Sequence, residues 1–570
     1  MSPTAPPPST RAQAPQPPGG DAPDEGFDVA IVGFGPVGAV AAALLGQAGL
    51  RVHVCDRLGG VHEIPRALSL DHEVMRLFQR LGVAEAVAPF VEPFTPSEYF
   101  GVDGQLIRRM TMVEPPYPQA WTPSMVFTQP PVERVLRQGV TALPQVTVAL
   151  DTELEALEQD ADGVNLRLRS KDGTESGVRA RWVIGCDGGS STVRALLGVA
   201  LEDLGFDEPW LVVDVVVNDL GLAKLPTTSV QYCEPDRPCT LVIGPGRHRR
   251  WEISLKPGED PAEAATPEGT WRLLSRWLGP QDGHLWRQAS YRFHALVAQR
   301  WRVGRVFLAG DAAHMQPPFL GQGMCQGLRD ATNLAWKLAA VHQGQAAGAQ
   351  ADALLDSYGM ERQAHVRELT TRLKAIGAVI CERDPQRARE RDAAMLAACG
   401  GVVRDTPRQD MIPGLSQGWL SPQPSSGRGL LFPQPWMADG RRMDDVFGSG
   451  WRLVMDATLP PLDPAMRGRW ASAAPSRAAG SVTCIHLVSG APTGPSPNGQ
   501  SDAAPSALPE RDGVVAAWMA RHECHAALVR PDHIVWGTAA DAAALLNAFQ
   551  HPPHPLQETT PWTDASSPPR

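Results

Sequence analysis

Apolar residues run unbroken over 27–32 and stop at a glycine-rich turn, Gly33-Phe34-Gly35-Pro36-Val37-Gly38, which opens into an Ala- and Leu-rich stretch over 39–48. A short continuous apolar run ending in glycines predicts a strand buried on both faces, and the stretch after it predicts a helix. A second strand over 51–55 ends at Asp56. The same succession returns at 182–184, before Gly185-Cys186-Asp187-Gly188-Gly189, and at 306–309, before Gly310-Asp311. After this last strand come two prolines and a glycine turn (Gly321, Gly323, Gly327). Leu328, Ala331, Leu334, Ala335 and Leu338 then recur at helical spacing.

Between these units the period changes from helical to alternating. Residues 146–184 predict an antiparallel layer turning at Lys171-Asp172-Gly173, and 210–255 predict several more strands, followed by a helix at 270–278. Residues 93–125 hold many Pro, aromatic and Met residues and predict an irregular segment covering a pocket. A long helix is expected over 354–380, and from Asp445 strands and helices alternate again.

These patterns predict an α/β protein with a Rossmann-like dinucleotide-binding domain, a β-sheet substrate domain inserted in it, and a C-terminal α/β domain. The expected division is a disordered tail at 1–26, a first nucleotide-binding part at 27–205 and the β-rich domain at 206–290. The second nucleotide-binding part with its long helix follows at 291–380, then a linker region at 381–440, the last domain at 441–551 and a flexible tail at 552–570, with a flexible insert at 491–511.

Composition narrows the function. With 570 residues and a net charge of −10, the chain lacks the clustered basic face of a nucleic-acid binder. Its nine cysteines form no CxxC pair or Cys/His cluster, which argues against zinc and against a disulfide framework. No signal pattern or membrane-spanning run is present, so a soluble cytoplasmic protein without a membrane partner is expected.

The first unit carries the most chemistry. Gly33, Gly35 and Gly38 occupy the glycines of G-x-G-x-x-G: the first for a tight turn, the second for backbone approach to a pyrophosphate, the third for close helix–strand packing. Asp56, about twenty residues further at a strand end, is placed to hold ribose hydroxyls. Strand, turn, helix, second strand and acidic end in register make a dinucleotide site. Asp311, at the end of a third strand, is placed to accept from a sugar hydroxyl, and the helix start after it presents N–H groups to an anion or electron-rich ring.

Three stretches, GFGPVG (33–38), GCDGGSSTVR (185–194) and GRVFLAGDAAHMQPP…GQG (304–323), together resemble the class A FAD-dependent aromatic hydroxylases, single-component flavoprotein monooxygenases, over roughly residues 27–380. Within that class PRALSLDHEVMRLFQRLGV (65–83), QYCEPDRP (231–238), HRRWEISL (248–255) and GQGMCQGLRDATNLAWKL (321–338) are similar to the 3-(3-hydroxyphenyl)propionate hydroxylase branch, which tends to carry Cys at position 325. The last domain resembles the thioredoxin-like tail of the phenol-hydroxylase branch, without CxxC.

The resemblance implies FAD as cofactor, NADH or NADPH as co-substrate, and a small aromatic substrate with O2. It implies a C4a-hydroperoxide passing its distal oxygen to a phenol in aromatic catabolism, and a homodimer. Carried over by position, Gly33, Gly35 and Gly38 hold the FAD pyrophosphate and Asp56 its ribose. Arg66 and Gln129 contact FAD, Asp187 lies in a motif serving FAD and NAD(P)H, Asp311 binds the ribityl or pyrophosphate end, and Pro318, Gly321, Gly323 and Met324 sit beside the isoalloxazine.

No motif identifies the group that deprotonates the substrate. His72 and Asp71 are candidates because they follow Arg66, although Asp71 also suits a helix cap. Tyr232 is a third candidate, on a strand of the sheet expected to face the flavin. Arg249 and Arg250 are adjacent in a strand and point to opposite faces, so at most one meets a substrate carboxylate. His314 is read as a structural hydrogen-bonding residue. Two alternatives stand beside the hydroxylase: an FAD monooxygenase tailoring a large polycyclic or polyketide substrate, and a non-catalytic flavin-binding protein, which would not need a helix end aimed at the reduced ring.

Overall fold

A computed structural model describes residues 26–472, 482–489 and 508–550. The expected terminal tails and most of the 491–511 insert lie outside these residues. The strand Phe27–Val32 is buried from Val29 to Val32 and lies parallel between Glu175–Gly185 and Val52–Cys55. Val306–Leu308 extends the same parallel sheet beyond Glu175–Gly185, and Val146–Ala149 extends it beyond Val52–Cys55. The three expected strand-to-glycine units are therefore neighbours, and their carboxyl ends open side by side. Helices Pro36–Gln47 and Gly323–His342 pack against one another on this sheet.

A second sheet of nine strands faces those carboxyl ends. It is built on two long strands, Leu201–Val217 and Gly283–Ala298, with His248–Ser254, Cys239–Ile243 and Ser229–Tyr232 following in order. Two expectations are corrected here. The 93–125 segment is not irregular throughout: Ser97–Phe100 and Leu106–Thr111 join this sheet, with Ser97, Tyr99, Ile107 and Met110 buried. The 381–440 stretch is not only linker. It contains helix Pro385–Ala398, and its strand Asp405–Pro407 pairs with Leu106–Thr111. In both cases pairing to a distant edge strand creates the element, a partner that local pattern does not reveal.

One face of the nine-stranded sheet buries Leu211, Val213, Leu241, Trp251 and Ile253 against the short helix Pro267–Leu274. The other face looks to the nucleotide-binding sheet. The C-terminal unit is a five-stranded sheet, and Trp336 of the Gly323–His342 helix meets its Trp451 edge-on at 6.0 Å. All nine cysteines are free, and the described residues contain no group of side chains able to hold a metal. Among them no helix is long and apolar enough to cross a membrane.

Candidate active site

The Gly33–Gly38 turn is held by close contacts. Gly33 has φ of 101°, and a Cβ there would stand 2.5 Å from the Cys186 carbonyl oxygen. A Cβ on Gly38 would stand 1.9 Å from the Gly33 carbonyl oxygen. At Gly35 a Cβ would meet no protein atom, because Gly35 borders a cavity of about 450 Å³ between the two sheets. Asp56 accepts from the Phe34 N–H at 2.6 Å and the Leu58 N–H at 2.8 Å, which braces the turn from behind.

The opposite rim is the 310–324 segment. Gly321 has φ of 61°, and a Cβ on it would press within 2.6 Å of Ser69 Oγ. Arg329 fixes the turn by donating to Gln322 Oε1 at 3.1 Å, Asp71 Oδ2 at 2.7 Å and Glu73 Oε2 at 2.6 Å. Behind it Asp330 accepts from the Gly310 N–H, pairs with His314 Nε2 at 2.8 Å and receives Arg362 Nε at 2.8 Å. His314 also stacks on Trp301 at 5.2 Å, so it is buried as a structural group.

Asp311, Pro318, Gly321, Gly323 and Met324 line the cavity, together with Gly35, Arg66 and Gln129. Gln129 Oε1 accepts from the Arg66 and Ala67 N–H groups and so shapes the loop carrying Arg66 ahead of strand Ser69–Asp71. Asp311 opens to the cavity within a dense protein wall, and burial raises its carboxyl above the usual range. Asp187 lies behind the lining. It accepts from the Ser191 hydroxyl at 2.5 Å and the Val193 N–H at 3.0 Å, while its neighbours Cys186 and Gly188 reach the surface of the cavity.

Helices Pro36–Gln47 and Gly323–His342 both begin on this cavity without any side-chain cap. Uncapped N–H groups with a partial positive charge attract anions. Two such ends on one cavity, with the space at Gly35 left open, fit a dinucleotide: pyrophosphate at the first helix, an electron-rich ring at the second.

The substrate-side wall comes from the nine-stranded sheet: Val212, Gln231, Thr240, Glu252 and Tyr291, closed by Phe94, Phe293 and Phe319. Tyr232 is corrected out of this wall. It faces the sheet's other side, where its hydroxyl accepts from Trp277 Nε1 at 3.1 Å, and Gln231 takes the inward place. Period-two geometry makes neighbours on a strand point oppositely, so one residue decides. Replacing Tyr232 with Phe is expected to leave the steady-state turnover within about twofold of wild type, since its hydroxyl lies outside the cavity.

Asp71 and His72 are likewise moved. They line a separate cavity of about 150 Å³ behind the Gly321 turn, with Glu73 and Arg329. Asp71 caps the helix His72–Arg80 by accepting from the Val74 N–H, and Arg329 holds its carboxyl below the usual range against the effect of burial. Burial pushes the His72 imidazole down to about 4, so it is neutral at neutral pH. Arg250, the inward member of the 249–250 pair, is bound to Asp214 at 2.7 and 3.0 Å and to the Arg66 and Pro65 carbonyls.

Arg408 had no signal in the sequence. It reaches the cavity from the short turn after Asp405–Pro407, is buried, and lies over the Phe94 ring at 4.1 Å. Its Nη2 donates to the Leu320 carbonyl at 2.9 Å, and among the described residues no carboxylate pairs with it. Burial lowers its pKa.

Residues 26–373 match the family model described as FAD binding domain, and residues 429–552 match the HcaD C-terminal domain. A probable NADH-specific resorcinol 4-hydroxylase of Rhodococcus jostii is 38% identical over 93% of this chain and 95% of its own. A 3-(3-hydroxy-phenyl)propionate/3-hydroxycinnamic acid hydroxylase of Klebsiella pneumoniae is 34% identical over 89% and 91%. The flavin-dependent monooxygenase PieE, solved with FAD and substrate, shares the fold at a TM-score of 0.74 and 22% identity, over 93% of this chain and 99% of its own. Aklavinone-11 hydroxylase with FAD and aklavinone superposes at 0.72 and 25% identity, over 92% and 98%.

Proposed function

The chain belongs to the FAD-binding-domain family of flavoprotein aromatic hydroxylases, and from that premise we propose that it hydroxylates a small phenol of the resorcinol or 3-(3-hydroxyphenyl)propionate type, with NADH as reductant. It is an FAD-dependent, NAD(P)H- and O2-consuming monooxygenase. Bound FAD supplies the redox chemistry, accepting hydride from NAD(P)H and activating O2.

The protein's part is binding and orientation. The N–H groups at the start of Pro36–Gln47 would hold the pyrophosphate, and Arg66 on the same cavity would donate to it. The uncapped start of Gly323–His342 would stabilise negative charge on a ring bound beside it. The aromatic walls exclude water from the substrate compartment. The observation carrying the small-phenol reading is Arg408, a buried guanidinium without a carboxylate partner among the described residues, in a compartment that Phe94, Phe293 and Phe319 also line, which suits a phenol bearing a carboxylate or a second ring oxygen. The relatives named for small phenols support the same reading. A cytoplasmic location and a homodimeric state belong to it.

The test is oxidation of NADH and NADPH by the yellow protein, with and without 3-(3-hydroxyphenyl)propionate or resorcinol, while hydrogen peroxide is followed. Strong stimulation with little peroxide is expected. Stoichiometric peroxide would mean that the phenol is only an effector, and indifference to every simple phenol would sink the small-phenol reading.

A further inference from the structure

The substrate wall contains a carboxylate that the protein leaves without a partner. Glu252, on strand His248–Ser254, is half-buried and lines the cavity. In register it lies between Val212 on one side and Thr240 on the other. Val212 offers no donor, and the Thr240 hydroxyl donates to Gln231 Oε1 at 2.5 Å. Among the described residues nothing donates a hydrogen bond to Glu252 and no cation pairs with it.

The nearby cations are engaged elsewhere. Arg250, two residues along the same face, is bound to Asp214 and to the Arg66 and Pro65 carbonyls. Arg287 donates to the Pro65 carbonyl at 2.6 Å and lies over the Tyr291 ring at 4.9 Å. Arg292 is paired with Asp207. A carboxylate that opens into a ligand cavity without a protein partner leaves its oxygens free for a donor on the ligand.

We propose that Glu252 accepts the hydrogen bond of the substrate's phenolic hydroxyl and takes its proton as the ring is attacked. This rests on the phenol-hydroxylase reading above. In the step the phenol O–H bond breaks and its proton passes to a Glu252 carboxylate oxygen. The electron pair stays on the ring oxygen and raises electron density at the ortho and para carbons. Once the ring has gained its new oxygen, the attacked carbon loses its hydrogen as a proton to water, and Glu252 returns its own proton to the ring oxygen. The residue ends as it began, and the oxidant is the one the established activity supplies.

The environment suits a base working at neutral pH. Burial pushes the Glu252 carboxyl up to about 7, against the pull of Arg250 and Arg287 and with the repulsion of Asp214. The charged and titratable groups facing it are Arg250 on its own strand, Asp214 on Leu201–Val217, and Arg287 and Tyr291 on Gly283–Ala298. Arg66, Arg292, His294, Asp311 and Arg408 line other parts of the same cavity. A base of this strength is protonated below neutrality and competent above it.

The test compares the FAD-loaded wild type with Glu252→Gln, which keeps shape and removes the charge. Binding of resorcinol and of 3-(3-hydroxyphenyl)propionate is read from the change in flavin absorption, and coupled hydroxylation is followed from acid to alkaline pH. In wild type, kcat/KM should rise through pH about 7. In Glu252→Gln that limb should vanish and the hydroxylation rate should fall by at least about 100-fold. Flavin content reports folding. If the Gln variant does not retain flavin, Glu252→Asp decides: it should keep the acid limb at a rate lowered by at least about tenfold, and wild-type behaviour would overturn the proposal. Hydroxylation by Glu252→Gln within about threefold of wild type, or a slow variant that keeps the limb, overturns it as well. Wild type that binds no phenol at all overturns both this assignment and the phenol reading, whereas equal binding and turnover by the two proteins overturns this assignment alone.

Discussion

Gly38→Ala should purify without flavin, with FAD affinity lowered by about 100-fold or more. The added Cβ would stand 1.9 Å from the Gly33 carbonyl oxygen and 3.0 Å from its carbon, both backbone atoms of the turn itself. Neither can rotate away, so the helix Pro36–Gln47 must shift by more than about 1 Å, enough to misplace its N–H groups on the pyrophosphate. Gly35→Ala is the control that separates fold from ligand. Its Cβ meets no protein atom, so the apoprotein should melt as wild type does. Its FAD affinity should still fall, because the methyl group occupies cavity space next to the helix start. Equilibrium titration of both apoproteins with FAD, alongside melting curves, checks the pair. Full flavin occupancy in Gly38→Ala would show that the turn yields in some other way.

Glu361→Ala should destabilise the chain by about 3–5 kcal/mol in urea unfolding and loosen the C-terminal unit. Glu361 lies on helix Ala349–Ile380 and is itself fully buried. It accepts from Arg530 at 2.7 and 3.0 Å and pairs with Lys337 at 2.9 Å, both also buried. It also accepts from Asn333 and from the Trp419 N–H. Arg530 belongs to the C-terminal unit and Lys337 to the Gly323–His342 helix, so one carboxylate ties two parts of the fold together. Removing it leaves buried Lys337 without its ion-pair partner.

The pH dependence has a definite sign. Burial alone would raise the Glu361 carboxyl, but Arg530 and Lys337 hold it down to about 2. A depressed carboxylate contributes its stability above the unfolded value of about 4.3 and loses it as the pH falls toward 2. The wild-type advantage over Glu361→Ala should therefore be full at neutral pH and shrink through that acid window. Urea midpoints for both proteins from pH 7 downward measure it, and a constant difference would contradict the assignment.

The nucleotide-binding part was readable because its information is local. Gly33, Gly35, Gly38 and Asp56 lie on one strand–turn–helix–strand unit, and Asp311 and Gly321 on another, so period and glycine spacing alone place them. The parallel sheet then brings the separate units edge to edge, as strand ends in such sheets must be. The substrate half was not readable in this way. Tyr232 and Gln231 differ by one position, and only the pairing of Ser229–Tyr232 with its neighbours decides which faces the cavity.

Arg408 reaches the site because Asp405–Pro407 pairs with an edge strand some three hundred residues earlier, a contact with no sequence signature. His72 and Asp71 follow Arg66 closely in the chain, yet the turn at Gly321 stands between them and the main cavity. Local spacing thus determined the dinucleotide site, and the resemblance carried by three of its motifs implied the cofactor and the reaction class. Tertiary pairing decided which side chains meet the substrate, because a cavity between two sheets is walled by residues from many distant strands, and whether each points inward depends on register.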